Sequence, residues 1–224
     1  MATFKPHLDI LPEAQKIIFP LLAPCKDLSF TLYGGTAIAL QLGHRVSVDF
    51  DFFSHEVIDQ DKETALLSAL PFLTRAKSTQ HVENTRGYLT EDGVSLSFFG
   101  NINFGRVGTP LMTEDGVLQV ASLDDLMATK LAVVQKRVES KDYQDISALL
   151  RHGLSLAKGL GCAQALYGEQ FSPPECVKVI TFFEGGDLES LTKRDKEVLL
   201  DAAKRLGLNK IPMIPVVSKD LTAF

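Results

Sequence analysis

Apolar positions along this chain change period twice. From Leu11 to Leu22 they recur at helical spacing. Ile10, Ala14, Ile17, Ile18, Leu21 and Leu22 share one broad face, with Pro12 near the start and Pro20 near the end. A short apolar run, Leu28 to Tyr33, then stops on Gly34-Gly35. A helical stretch follows and closes at Gly43, and a strand alternates through residues 45–52. Val46, Val48, Phe50 and Phe52 face one way; Arg45, Ser47, Asp49 and Asp51 face the other. Asp61 to Leu70 reads as a helix ended by Pro71. Between Thr79 and Phe99 the period shortens to two. Gln80–Asn84 and Gly87–Thr90 are short strands, and Glu91-Asp92-Gly93 carries a hairpin signal. Val94–Phe99 follows, with Val94, Leu96 and Phe98 opposed to Ser95, Ser97 and Phe99. Asn101–Thr113, with Phe104 and Arg106, reads as a loop, and Val117–Ala121 as a last strand.

Helical spacing returns at Ser122. This serine is expected to cap a helix, with Asp125 at the capping-box position, and its apolar stripe is Leu123, Leu126, Met127, Leu131 and Val134. Lys130 falls inside that stripe, where a lysine must snorkel out or meet an anion. The next helix begins near Glu139-Ser140, with Ser140 as the expected cap. Asp142, Asp145 and Leu149 share one face; Tyr143, Ile146 and Leu150 share another. Helices over 154–167, 173–183 and 193–206 follow, with Ser172 and Thr192 as starts and Gly185-Gly186 and Gly207 as stops. The last is basic toward both ends, through Lys193, Arg194, Lys196, Lys204 and Arg205, a pattern that fits a solvated face or, as the sharper alternative, an RNA-contacting patch. The apolar, proline-interrupted tail over 211–224 is expected to pack back on the domain or against a partner.

The chemistry concentrates in residues 33–54. Asp49 and Asp51 lie on one face of one strand, about 6–7 Å apart at Cα from the strand rise. Carboxylates that close repel unless a positive charge lies between them, and a divalent cation with oxygen ligands suits the place. A lone Asp-x-Asp on an exposed strand is ordinarily solvated charge. Here it follows a glycine pair whose backbone can approach a ligand and whose N–H groups open a helix that favours anions. A phosphate-binding turn beside a metal-binding strand suits a reaction on a nucleoside triphosphate. His55 and Glu56, just past the strand, read as an exposed loop pair.

Gly34-Gly35-Thr36, a short helix, then Arg45-x-Ser47-x-Asp49-x-Asp51 resembles the first motif of the DNA polymerase β-like nucleotidyltransferases. Within that superfamily the chain resembles the AbiEii toxin family, related to the MenT toxins. Lys130…Arg137…Lys141-Asp142-x-x-Asp145 is similar to that family's later motifs, with Lys-Asp where Arg-Asp is usual. The resemblance covers residues 28–151 well. It implies catalytic roles for Asp49, Asp51, Lys130, Asp142 and Asp145, with either Asp142 or Asp145 as the later functional acid. It also implies nucleotide or phosphate contacts from Gly34, Gly35, Thr36, Arg45, Ser47 and Lys130, and Mg²⁺ (or Mn²⁺) on Asp49 and Asp51. Such folds often carry a third carboxylate on the neighbouring strand. Ser97 aligns there, and a serine hydroxyl is a poor metal ligand and proton acceptor.

Whole-chain quantities narrow the picture little. The 224 residues, 45% hydrophobic and 23% charged, suffice for a sizeable core. A net charge of −5 does not advertise nucleic-acid binding, though a local basic surface is compatible with it. Cys25, Cys162 and Cys176 have no metal-ligand spacing and read as buried small hydrophobes in a reducing compartment. The N-terminus lacks a signal-peptide core and no run approaches a membrane span, so a cytoplasmic protein without a membrane partner is expected. The expected fold is α/β (α+β): a polymerase β-like core with a mixed, twisted sheet over residues 1–121, then a helical lobe over 122–224 completing the active-site cleft. The expected activity is nucleotidyl transfer from a nucleoside triphosphate to an acceptor hydroxyl. The resemblance implies RNA as the acceptor, with tRNA as a candidate, and the role of a toxin partnered by a cognate antitoxin. The alternatives are a non-catalytic nucleotide- or partner-binding protein on the same fold, and a small-molecule nucleotidyltransferase.

Overall fold

The computed structural model describes residues 2–206 and 211–222. The strands are β1 (Thr3–Phe4), β2 (Thr31–Tyr33), β3 (Asp49–Phe53), β4 (Lys77–Val82), β5 (Thr85–Leu89), β6 (Ser95–Phe99), β7 (Leu111–Thr113) and β8 (Gln119–Val120). The helices are α1 (Glu13–Ile18), α2 (Pro24–Asp27), α3 (Gly34–Leu42), α4 (Gln60–Ala69), α5 (Leu123–Val133), α6 (Ser140–Arg151), α7 (Leu156–Tyr167), α8 (Pro173–Ile180) and α9 (Lys193–Arg205). The chain divides into two compact units. Among the described residues, one takes 2–105, 109–122 and 218–222; the other takes 106–108, 123–206 and 211–217.

The first unit holds one mixed sheet in the order β1-β7-β8-β2-β3-β6-β5-β4. β3 is its pivot, antiparallel to β2 and parallel to β6. Along both β3 and β6 every second side chain is buried: Phe50, Phe52, Leu96 and Phe98 are fully enclosed. Burial of each such side chain contributes about 1.5–3 kcal/mol. Phe52 and Phe98 stack at 5.2 Å, and Phe30 meets Phe98 edge-on at 5.2 Å. α3 ends at Gly43, which takes the left-handed conformation with φ 62°. It is tied to the end of β8 by the Gln41 Nε2 bond to the Ala121 carbonyl, 3.1 Å. α4 is capped by Asp59, whose carboxylate accepts from the Lys62 N–H at 2.9 Å.

The second unit is helical. Leu126, Met127 and Leu131 of α5 are fully buried. α6 and α9 are joined by Asp195, which accepts from Ser147 Oγ at 2.7 Å and from Thr192 Oγ1 at 2.6 Å. Ser155, Ser172 and Thr192 cap α7, α8 and α9.

Several expectations need correction. The strand expected from Arg45 begins only at Asp49, because β2 and β6 supply ladder partners for 49–53 alone. Before it, Val46 and Val48 are 60% and 53% exposed while Ser47 is buried. The stretch over 101–113 is not all loop: Leu111–Thr113 pairs with both β8 and the unforeseen β1. Three-residue strands leave too few alternations to read. Helix 11–22 breaks at Phe19 into a 3₁₀ turn carrying Pro20. Ser140 is not the cap of α6 but its first residue; Glu139 holds the cap position. Asp187 accepts instead from the Ser140 N–H at 2.6 Å and from Ser140 Oγ at 2.7 Å. The tail does pack back. The Val217 N–H donates to the Arg106 carbonyl at 2.9 Å, and Thr31 Oγ1 donates to the carbonyl of the buried Leu221 at 3.1 Å. Residues 218–222 thus belong with the sheet unit. The stop expected at Gly207 lies outside the described residues.

Candidate active site

The sheet unit brings together the glycine turn and the aspartate strand. Tyr33 is the ladder partner of Asp51, and the chain leaves β2 directly into α3. Gly34 makes that corner with φ 73°. A Cβ built on it would lie 2.5 Å from Asp51 Oδ2, so only glycine admits both the conformation and the carboxylate. A carboxylate beside the first turn of α3 is favoured by the unsatisfied N–H groups there. Thr36 and Ser47, both buried, complete the corner. Thr36 Oγ1 lies 2.8 Å from Ser47 Oγ and makes a hydrogen bond to the Asp49 carbonyl. These two residues therefore fix the backbone from which Asp49 projects. Arg45 donates to the Val46 carbonyl at 3.0 Å.

Asp49 and Asp51 are both half-buried, on the face opposite Phe50 and Phe52. The Asp49 carboxylate makes no hydrogen bond or ion pair among the described residues. On the parallel neighbour, Ser95 is the register partner of Asp49 and Ser97 of Asp51. The position aligned with a third acid is thus directly beside Asp51, and it holds a hydroxyl. The period of two puts Ser95 on the face of Ser97, and the register of β3 with β6 then sets it beside Asp49. Next along this face, Phe53 stacks on Tyr33 at 4.7 Å and meets Phe99 edge-on at 5.3 Å, with Phe104 6.3 Å from both Phe53 and Tyr33. Two hard oxygen donors on one face fit a magnesium ion that keeps waters and takes substrate phosphates as its other ligands. They do not make an all-protein cage: no group of three or more His, Cys, Asp or Glu able to hold a metal occurs among the described residues. His55 is drawn elsewhere, its Nδ1 lying 3.1 Å from an Asp220 carboxylate oxygen, and Glu56 pairs with Lys62.

Lys130, Asp142 and Asp145 meet in the helical unit. Lys130 does not snorkel; its residue is 6% exposed and its ammonium lies 2.6 Å from Asp142 Oδ1 and 2.7 Å from Asp145 Oδ2. Both aspartates are fully buried. Arg137 adds Nε to Asp142 Oδ2 at 2.9 Å and Nη2 to Asp142 Oδ1 at 3.2 Å. Burial by itself raises the Asp142 pKa; the Arg137 and Lys130 contacts outweigh it and hold the carboxyl below its ordinary value. Two cations and two anions thus neutralise one another, and the anion that Lys130 meets is supplied by the next helix. Arg137, in the turn after α5, was visible in the sequence as part of the motif string but not as this partner. Asp125 does unexpected work too, accepting from the Val107 and Gly108 N–H groups at 2.7 and 3.1 Å. The three cysteines are free and buried, and burial pushes their thiols up, Cys162 to about 11. No helix among the described residues is long and apolar enough to cross a membrane.

The chain is 31% identical over 136 residues to an uncharacterized protein of Aquifex aeolicus (strain VF5), a match spanning 60% of this chain and 64% of that relative's length. Its fold is similar to the crystal structure of an antigenic nucleotidyltransferase-like protein from Paracoccidioides brasiliensis. That likeness has a TM-score of 0.53 at 15% identity, over 89% of this chain and 94% of the other. The expected mixed α/β fold is therefore present. The family model for the nucleotidyl transferase AbiEii toxin of type IV toxin–antitoxin systems matches residues 21–209, and the chain belongs to that family.

Proposed function

We propose that this protein is a magnesium-dependent nucleotidyltransferase that moves a nucleotidyl group from a nucleoside triphosphate to an acceptor hydroxyl. The reading rests on one observation: Asp49 and Asp51 share a half-buried strand face that abuts the first turn of α3 at Gly34. In this reading the N–H groups of Gly34, Gly35 and Thr36 receive phosphate oxygens, and Arg45 adds positive charge from the adjoining loop. Asp49 and Asp51 would hold Mg²⁺ (or Mn²⁺), which when bound supplies Lewis-acid polarisation of phosphate oxygens and neutralises the leaving pyrophosphate. Thr36 and Ser47 keep the Asp49 backbone in place. The acceptor oxygen bonds to the α-phosphorus, the bond to pyrophosphate breaks, and the acceptor's proton leaves to a carboxylate oxygen or to solvent. Ser97 is unsuited to take that proton. Lys130, Asp142 and Asp145 support the reaction as a neutral, rigid cluster in the helical unit. Family membership makes RNA, and tRNA in particular, the acceptor to test first, and supports the part of a cytoplasmic toxin with a cognate antitoxin.

The test is incubation of the purified protein with Mg²⁺, each α-labelled nucleoside triphosphate in turn and total cellular RNA, read on a gel. Labelled RNA that disappears with Asp51→Ala and with chelation is expected. Label retained at wild-type level in Asp51→Ala would overturn the assignment. A second reading, nucleotide binding without turnover, is favoured by the hydroxyl opposite Asp51. No labelled product from the wild-type chain, with strong labelling after Ser97→Asp, would decide for it.

A further inference from the structure

The helical unit contains a cavity of about 580 Å³ that the proposed reaction does not use. Its walls come from the turn after α5, from Tyr143 of α6 and from the end of α8. The floor is apolar and partly aromatic: Val134, Val138, Tyr143, Val179 and Phe182. Val138 and Phe182 are 44% and 57% exposed, so their apolar surfaces are open to a ligand. The rim carries Lys136, Arg137 and Lys178 against Glu184 alone. In a chain of net charge −5, three cations against one carboxylate around one cavity run counter to the background. Arg137 is committed to Asp142, but neither Lys136 nor Lys178 forms an ion pair among the described residues. Volumes of this order, with an apolar floor and a few charged groups at the edge, are those of small-molecule sites.

We propose that this cavity binds a small aromatic anion, with its flat body against Phe182 and Val138 and its negative group toward Lys136 and Lys178. Ring faces accept flat ligands at little entropic cost, and two ammonium groups at the edge of a low-dielectric hollow attract an anion more strongly than they would on open surface. Nucleobase phosphates and non-nucleotide aromatic acids share this chemistry. The site would be joined to the buried charge cluster through Arg137, the residue common to both.

The experiment titrates the full chain with the fluorescent aromatic anion 1-anilinonaphthalene-8-sulfonate, then competes it with nucleoside monophosphates and, separately, with benzoate. One site per chain is expected, weakening as salt rises. Lys178→Glu and Phe182→Ala should each loosen it about tenfold or more, the loss of one charge-assisted or stacking contact. Asp51→Asn should leave it unchanged, which separates this site from the proposed catalytic one. Competition by monophosphates but not benzoate names nucleotides as the class; the reverse names aromatic acids. Absence of dye binding, or dye affinity unaltered in both Lys178→Glu and Phe182→Ala, overturns the proposal. Both substituted residues are exposed, and circular dichroism would verify that each variant is folded.

Discussion

Two pairs of aspartates sit in this protein in opposite physical states. Asp49 and Asp51, two residues apart on a strand, are half-buried, and the Asp49 carboxylate has no partner among the described residues. Asp142 and Asp145, three apart on a helix, are fully buried and share one lysine at 2.6 and 2.7 Å. The first pair lies on a half-buried strand face that a ligand can reach, with the Asp49 charge unpaired there among the described residues. The second has spent its charge on Lys130 and Arg137 inside the fold. Burying an ion pair gives modest net stability, whereas removing one partner strands the other without solvent. So the first pair should govern activity and the second should govern stability.

The largest expected effect is at Lys130. Lys130→Met keeps the side-chain volume but takes the shared ammonium away from two buried carboxylates, and should destabilise by about 3–5 kcal/mol. Asp49→Asn, by contrast, should change stability by only about 0.5 kcal/mol, the range for changes away from packed or paired groups. Thermal melts of both variants measure the contrast; a Lys130→Met melt like wild type would erase it. Next in size is Thr36→Val, which removes the hydroxyl bonded to Ser47 and to the Asp49 carbonyl. Loss of buried hydrogen bonds predicts about 1–3 kcal/mol, together with reduced nucleotidyl transfer because Asp49 loses its anchor. Full activity in a destabilised Thr36→Val would restrict its role to folding. The smallest effect is in pH. The Asp142 pKa lies below the ordinary aspartate value of about 3.9. Its contribution to stability is therefore complete above that value and is lost as pH falls through the lower folded one. Denaturant midpoints should fall with pH below about 4, less steeply in Lys130→Met than in wild type. Equal slopes would show that the cluster does not carry the acid response.

Local pattern explains why much of the sheet unit was legible. The alternation that buries Phe50, Phe52, Leu96 and Phe98 has a period of two, so it also sets Asp49 and Asp51, and Ser95 and Ser97, on the other face. The helix from Gly34 to Gly43 is marked by glycine at both ends. The differences fall where no periodic run exists or where a periodic run finds no partner. β1 and β7 are two and three residues long and exist only through pairing. Residues 45–48 continue the alternation in sequence, yet the ladder lacks partners for them, and Val46 and Val48 face solvent.

The sequence by itself determined which residues share a face, because backbone geometry makes that a local property of strand and helix period. It thereby determined the paired carboxylates of each kind and the glycine corner before β3. Only the tertiary structure decided what each charge meets. Lys130 lies in an apolar stripe whichever anion it finds, and the fold supplies Asp142 and Asp145 from the next helix. Asp187 reaches Ser140 across 47 positions, and Asp51 Oδ2 comes to rest against Gly34. Those partners are set by packing between distant segments, whose energies depend on burial and distance, and neither quantity is written in the local order of residues.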